Sequence, residues 1–210
     1  EMRSLRLSGP ARLRPDGPLG EYYEAARDLA RRVTAWSEQV SREMCHYAVC
    51  TGGGGGIMEA ANRGALEAGG KSIGLNIGLP HEQQPNGFTS PDLAFEFHYF
   101  FMRKLWFAHN AHGLVVFPGG FGTLDELLEI LTLMQTEKIR RRVPIVLYGT
   151  RYWNEILDFE ALVRHGMIDA EDLALFRFAD DPVEALALLQ AGVAPLPAKA
   201  PPVIAHSRTP

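Results

Sequence analysis

Three glycines and a threonine precede a helical pattern, and an acidic residue follows in its first turn. The segment reads Pro118-Gly119-Gly120-Phe121-Gly122-Thr123-Leu124-Asp125-Glu126 and comes directly after the apolar residues 114–117. Glycines leave backbone N–H groups uncovered, and a helix start adds a positive dipole end, so such a turn suits the oxygens of a phosphate monoester. We therefore predict a phosphate site formed by Gly119, Gly120, Gly122 and Thr123.

Glu126 has two interpretations at this level. Thr123-x-x-Glu126 has the spacing of a capping box, in which the carboxylate only helps to start the helix. Alternatively, the carboxylate lies within one turn of the phosphate site and therefore near the sugar of a bound nucleotide. The local sequence does not decide between the two.

A second glycine-rich turn spans residues 51–62, with the sequence TGGGGGIMEAAN, between a strand pattern and a helix pattern. Its glycines would let the backbone approach an anion or a ribose, although they could also serve only to make a tight turn. The third glycine of the dinucleotide fingerprint falls on Ile57 when counting starts at Gly52, so we do not infer NAD.

Arg103 and Lys104 interrupt the aromatic run of residues 97–107. A guanidinium stays protonated, so Arg103 could orient a carboxylate, bind phosphate or stabilise negative charge, but could not act as a general acid. Lys104 is better explained as an ordinary solvated charge. His109 and His112 could share a helix face, but no third ligand lies near them in sequence, so we predict no metal site.

Short apolar runs alternate with longer segments of helical period, which is typical of a parallel sheet covered by helices. We predict one α/β domain over residues 1–193 and a flexible tail rich in Pro and Ala over residues 194–210. Residues 78–97 form a long polar connection and are a candidate substrate lid. The predicted strands are residues 3–7, 46–50, 71–77, 114–117 and 145–148. The predicted helices begin near residues 21, 57, 99, 124, 153 and 182.

The composition and charge of the chain indicate which partners and which cellular compartment to expect. The chain has 210 residues and a formal net charge of −4, so nothing favours a nucleic acid polymer or an anionic membrane as partner. No segment has the length and apolarity of a membrane span, and the first residues lack a signal-peptide core, so we expect a cytoplasmic protein. Cys45 and Cys50 flank one strand pattern and are expected to be buried thiols.

Residues 118–126 resemble the PGGxGTxxE signature of the LOG family, the cytokinin-activating phosphoribohydrolases, whose relatives are often labelled lysine decarboxylases. Arg103 and Lys104 match the Arg-Lys pair before that signature, and residues 51–62 resemble the family's first glycine turn. The likeness covers residues 8–181 and is greatest to the longer bacterial subgroup. Residues 7–12 only approximate the family's opening turn, so Ser8 and Arg12 are assigned no role.

The resemblance implies a Rossmann-like, doubly wound parallel sheet with helices on both faces. It implies a homodimer or larger homo-oligomer that cleaves a nucleoside 5′-monophosphate, such as AMP or a cytokinin riboside monophosphate, to free base and ribose 5-phosphate without metal or organic cofactor. Arg103 and Glu126 take the catalytic roles. Substrate contacts are expected from Gly53, Gly54, Glu59 and Lys104, in addition to the phosphate turn.

Two other functions remain open at this level. A non-catalytic carrier of a nucleotide or a molybdopterin-type cofactor would need the glycine turns, but not both Arg103 and Glu126. A lysine decarboxylase would require pyridoxal phosphate.

Overall fold

The computed structural model describes residues 3–9, 20–40, 47–78 and 85–193, and a single parallel sheet lies at the centre of this part of the chain. Its strands are β1 (Arg3–Ser8), β2 (Tyr47–Thr51), β3 (Ser72–Ile77), β4 (Ala94–Phe97), β5 (Ala111–Val116), β6 (Ile145–Tyr148) and β7 (Phe176–Ala179). Cys45, Arg12 and the predicted tail at residues 194–210 lie outside the described residues.

The strand order is β4-β3-β2-β1-β5-β6-β7, and every neighbouring pair is parallel. The chain therefore winds outward from β1 to one edge, returns to the other side of β1 at β5, and winds outward again. In such sheets ligands bind at the carboxyl ends of the strands where the winding direction reverses. For this chain that point lies between β1 and β5.

Helices cover both faces of the sheet, which confirms the Rossmann-like, doubly wound fold. They are α1 (Gly20–Val40), α2 (Ile57–Glu67), α3 (Phe100–Asn110), α4 (Phe121–Gln135), α5 (Thr150–Ile156), α6 (Phe159–Arg164) and α7 (Pro182–Gly192). The first apolar core contains residues of α1, α2 and α7, and the second contains residues of α3, α4, α5 and α6. No helix among the described residues is long and apolar enough to cross a membrane.

Both faces of the central strand β1 are buried, but only one of them is apolar. Its apolar residues Leu5 and Leu7 pack in the first core. The intervening residues Ser4, Arg6 and Ser8 are also buried, because side chains alternate between the faces of a strand. They point toward the layer that contains α3 and α4, where Ser4 donates to the Asn110 carbonyl at 2.7 Å.

The structure adds two strands that the sequence analysis did not predict, both four residues long and at the sheet edges. Within the predicted lid segment, β4 pairs in register with β3, with Leu75 opposite Phe95. At the other edge, β7 places Phe176 in the second core. The predicted four-residue strands 114–117 and 145–148 are continuous apolar runs, whereas β4 and β7 each contain a charged residue, Glu96 and Arg177, which weakens the strand pattern.

Two helix predictions were wrong in detail. The helix predicted over residues 153–163 is two helices, because Leu157 is extended and the Asp158 side chain starts α6 by accepting from the Ala161 N–H at 2.8 Å. The helix predicted from residue 124 begins at Phe121, three residues earlier. The predicted cap of α7 is confirmed, since Asp181 accepts from the N–H groups of Val183 and Glu184.

The close approach of α1 and α2 depends on Gly64. A Cβ added to Gly64 would lie 2.0 Å from the carbonyl oxygen of Arg27 on α1, which is far inside van der Waals contact. Because that neighbour is backbone, a side chain at this position would have to separate the two helices.

We therefore expect Gly64→Ala to lower the free energy of unfolding by about 1–3 kcal/mol, the usual cost of overpacking. Chemical denaturation followed by circular dichroism measures the change. Gly87→Ala is the matched control, because a Cβ there meets nothing within 4 Å among the described residues. Equal stability of the two variants would show that the helices can separate at no cost.

Candidate active site

A cavity of about 540 Å³ opens at the carboxyl ends of β1 and β5, where the winding of the sheet reverses. Both glycine-rich turns reach it. Its lining includes Gly52 and Gly54 from the first turn and Gly120, Gly122 and Thr123 from the second. Arg103 and Glu126, the two predicted catalytic residues, line the same cavity. The fold therefore brings together residues that are widely separated in sequence.

Glu126 lies on α4 and is only 9% exposed. The capping-box interpretation is wrong, because Gly120 is the residue that precedes the helix and Thr123 is already its third residue. The Glu126 carboxylate instead accepts side-chain donors from two other elements. It is a buried anion at the wall of the cavity.

Arg103 approaches Glu126 from α3. Its Nη2 donates to Oε1 of Glu126 at 2.9 Å. The guanidinium carbon also lies 5.1 Å from the centre of the Phe107 ring and 5.9 Å from that of Phe100, which is within cation–π range. Two aromatic rings of the segment therefore hold the arginine beside the carboxylate.

Arg6 and Ser8 complete the surroundings of Glu126, and both come from β1. Arg6 Nη2 lies 2.5 Å from Oε2 of Glu126, and the Ser8 hydroxyl donates to the same oxygen. Arg6 was not predicted as a site residue, and Ser8 was assigned no role. The available signal was the alternation Ser4-Leu5-Arg6-Leu7-Ser8, which places a charge inside a central strand.

Burial shifts the pKa values of two groups close to Glu126. It lowers the pKa of the Arg6 guanidinium, while the neighbouring Glu126 carboxylate opposes that change. Burial also raises the pKa of the Cys50 thiol, on the adjacent strand, to about 12. Cys50 is therefore a neutral buried thiol at physiological pH, as predicted, and Arg6 has Glu126 as its acidic partner.

The second glycine turn presents the amino end of α4 to the cavity. The first N–H groups of a helix have no carbonyl partner within it, so they are available to a ligand. Gly120, Gly122 and Thr123 line the cavity, whereas the predicted Gly119 does not. The carbonyl of Gly119 instead accepts from the Tyr152 hydroxyl at 2.8 Å, which fixes the turn from behind.

The first glycine turn is held by side-chain amides. Gly53 has φ +74°, a conformation that favours glycine, and its N–H donates to the Thr51 hydroxyl oxygen at 3.0 Å. Asn86 Nδ2 donates to the carbonyls of Gly53 and Gly54 at 3.0 and 2.8 Å. Gly54 lines the cavity and Gly53 lies behind it. This tether comes from the segment predicted as a lid, of which residues 79–84 lie outside the described residues.

Two other predicted substrate contacts have protein partners away from the cavity lining. Glu59 accepts from the Tyr23 hydroxyl at 2.9 Å, and Lys104 pairs with Asp125 at 2.5 Å. Their roles in substrate binding remain predictions. Conversely, the lining includes Met58, Asn76 and Glu96, which no sequence motif singled out. Within the described part of the chain, no group of three His, Cys, Asp or Glu residues could hold a metal ion.

Comparison with known proteins finds both similar sequences and similar folds. The family model described as "Possible lysine decarboxylase" matches residues 58–189. The chain is 30% identical over 168 residues to a "Probable cytokinin riboside 5′-monophosphate phosphoribohydrolase" of Oryza sativa subsp. japonica, covering 79% of this chain and 68% of that protein.

Two further similarities extend the comparison. The "Pyrimidine/purine nucleotide 5′-monophosphate nucleosidase" of Escherichia coli strain K12 is 30% identical over 117 residues, which are 49% of this chain and 24% of that protein. The solved structure of the molybdenum cofactor carrier protein from Chlamydomonas reinhardtii superimposes with a TM-score of 0.61 at 22% identity, covering 91% of this chain and 98% of that one. The latter likeness is one of fold, whereas the sequence matches show that this chain belongs to the LOG family, which the "Possible lysine decarboxylase" model describes.

Proposed function

We propose that this protein hydrolyses the N-glycosidic bond of a nucleoside 5′-monophosphate and releases the free base and ribose 5-phosphate. The observation that carries the proposal is the buried Glu126 carboxylate, held by Arg103 at a cavity that also receives the amino end of α4. The amino end of α4 suits the phosphate, and the Glu126 carboxylate, within one helical turn of it, suits the sugar carbon C1′. These are the two ends of a ribose 5-phosphate unit.

The amino end of α4 binds the 5′-phosphate in this proposal. The backbone at Gly120, Gly122 and Thr123 faces the cavity, and the helix dipole favours an anion there. A phosphate fixed at this turn would place the ribose toward Glu126. The base would then lie toward Asn76, Glu96 and Phe100, which also line the cavity.

Glu126 acts on the sugar in this proposal. Breaking the bond between C1′ and the base nitrogen builds positive charge on the ribose, which a nearby carboxylate stabilises. The oxygen of a water molecule bonds to C1′, one of its protons stays on the new hydroxyl group, and the departing base gains the other. Arg103 orients the carboxylate or the substrate, since a guanidinium does not serve as the acid.

The comparisons support the substrate class rather than one base. The names of the relatives specify cytokinin riboside 5′-monophosphates in one case and pyrimidine and purine nucleotides in the other. We therefore propose a nucleoside 5′-monophosphate as substrate, with AMP and a cytokinin riboside monophosphate as the first two to compare. A cytoplasmic location remains a prediction from the sequence.

The alternatives fit the cavity less well. A decarboxylase that uses pyridoxal phosphate needs a lysine to hold it as a Schiff base, and none of the described residues that line the cavity is a lysine. A cofactor carrier has no need of a buried carboxylate paired with Arg103. Binding of AMP without any release of base would nevertheless favour the carrier.

We also propose that the protein forms a homodimer or larger homo-oligomer through the apolar surface of α3. Large apolar side chains are exposed along this helix and next to it, at Tyr99, Phe100, Phe101, Leu105 and Trp106. Clusters of exposed, large apolar side chains on soluble proteins mark interaction sites. Phe100 also lines the cavity, so a second copy docked here would adjoin the site.

Glu126→Gln should lower the rate of base release from AMP by at least about a hundredfold, because an amide neither stabilises the ribosyl cation nor activates water as a carboxylate does. Chromatography of the released base measures the rate. Glu129→Gln is the matched control, since Glu129 is half-buried one turn along α4 but does not line the cavity. Undiminished release by folded Glu126→Gln protein would exclude the catalytic role.

Gly122→Ala should raise the KM for AMP by about tenfold or more, which corresponds to about 1.4 kcal/mol of lost binding. A Cβ at Gly122 has nothing within 4 Å among the described residues, so the fold accepts it, but the methyl group would occupy the space of the phosphate. Melting temperature should not fall. Wild-type protein should not cleave adenosine, which lacks the phosphate; equal cleavage of adenosine and AMP would contradict the phosphate site.

Phe101→Glu should dissociate the oligomer, because Phe101 is 65% exposed on α3 and a charge there cannot be buried without a partner. Light scattering coupled to size-exclusion chromatography gives the mass. Leu66→Glu is the matched control, since Leu66 is 53% exposed on α2, on the opposite face of the sheet. A wild-type monomer, or dissociation by the control alone, would count against this surface.

A further inference from the structure

Arg6 is a buried arginine in the middle of the central strand, and it does not belong to the cavity lining. Its exposure is 2%, and its guanidinium carbon lies 3.4 Å from the centre of the Phe107 ring. Replacing buried ionic groups by apolar side chains is often neutral or stabilising, so packing alone gives no reason for a charge at this position. Its value to the protein must come from what it contacts.

What Arg6 contacts is the Glu126 carboxylate, at the oxygen that Arg103 does not use. Arg6 and the Ser8 hydroxyl are at Oε2, whereas Arg103 is at Oε1. Both oxygens of the carboxylate are therefore fixed, each by a different element of the fold. A carboxylate held at both oxygens cannot rotate away from the cavity.

The two arginines differ in access to a ligand. Arg103 lines the cavity, so a bound nucleotide can contact it. Arg6 is not among the described residues that line the cavity, and it contacts the lining at the Glu126 carboxylate. When a substrate engages Arg103, Arg6 therefore remains as a cation beside Glu126.

From this geometry we infer that Arg6 is a positioning residue, the permanent countercharge that holds the Glu126 carboxylate in place while Arg103 faces the substrate. The inference rests on the proposed hydrolase function. A residue of this kind alters the catalytic step and leaves substrate affinity unchanged, because it touches no part of the substrate.

The test compares Arg6→Met with Arg6→Lys, using AMP as substrate at temperatures where both variants are folded. In Arg6→Met we expect kcat to fall on the order of ten- to a hundredfold, the cost of a displaced catalytic group. KM should stay within about twofold of the wild-type value. Arg6→Lys keeps the positive charge and should recover about tenfold or more of the loss. If Arg6→Met does not fold, Arg6→Gln, which keeps a donor without the charge, replaces it in the same comparison.

Arg141→Met is the control for loss of a buried arginine. Arg141 is partly buried and donates to backbone carbonyls at the end of α3, including that of Ala108 at 3.1 Å, away from Glu126. It should lose stability without loss of kcat. Wild-type kcat in folded Arg6→Met protein, or a defect confined to KM, would overturn the inference.

A crystal structure of the same Arg6 variant provides a readout that does not depend on activity. We expect the Glu126 carboxylate to leave its position beside Ser8, and an unmoved carboxylate would overturn the inference. Wild-type protein that releases no base from any nucleotide would defeat the proposed hydrolase function alone, since the crystallographic comparison still tests the role of Arg6.

Discussion

The site depends on one constraint, which is that a carboxylate buried between sheet and helices must have its charge compensated. Glu126 obtains this from Arg6 on β1 and Arg103 on α3. Removing a charged group from water costs several kcal/mol, so each charge of the cluster is stabilised by its oppositely charged neighbours. The contact thereby fixes α3 and α4 against the central strand and determines where the carboxylate meets the cavity.

The topology of the sheet explains why this cluster lies beside the glycine-rich turn that we propose binds phosphate. Because all the strands are parallel, their carboxyl ends and the turns that follow lie on one edge of the sheet. The reversal of winding between β1 and β5 opens the space between those turns. Backbone amides at the start of α4 and side chains from three elements then face the same volume. In the proposed mechanism the main chain binds the phosphate and side chains carry out the chemistry.

Much of this arrangement could be predicted from the sequence because its signals are local. The glycine turns follow apolar strands, and their place at the carboxyl edge follows from strand–helix alternation alone. Arg103 and Glu126 were identified through the resemblance to a family signature rather than by spacing, and the structure places them in contact. Arg6 has no motif, and its pairing with Glu126 joins residues 120 positions apart, which no local pattern specifies. The capping-box spacing of Thr123 and Glu126 is real, but the helix starts three residues earlier than that pattern requires.

The alternation in β1 has a consequence for the assembly of the sheet. Because Leu5 and Leu7 face one layer while Arg6 faces the other, a slip of this strand by one residue would drive a guanidinium into the aliphatic core and leave Glu126 without its second cation. A central strand made only of valine and leucine would tolerate several alignments with its neighbours. Here the charge that pairs with Glu126 also lets the chain distinguish the correct alignment of its innermost strand from the incorrect ones.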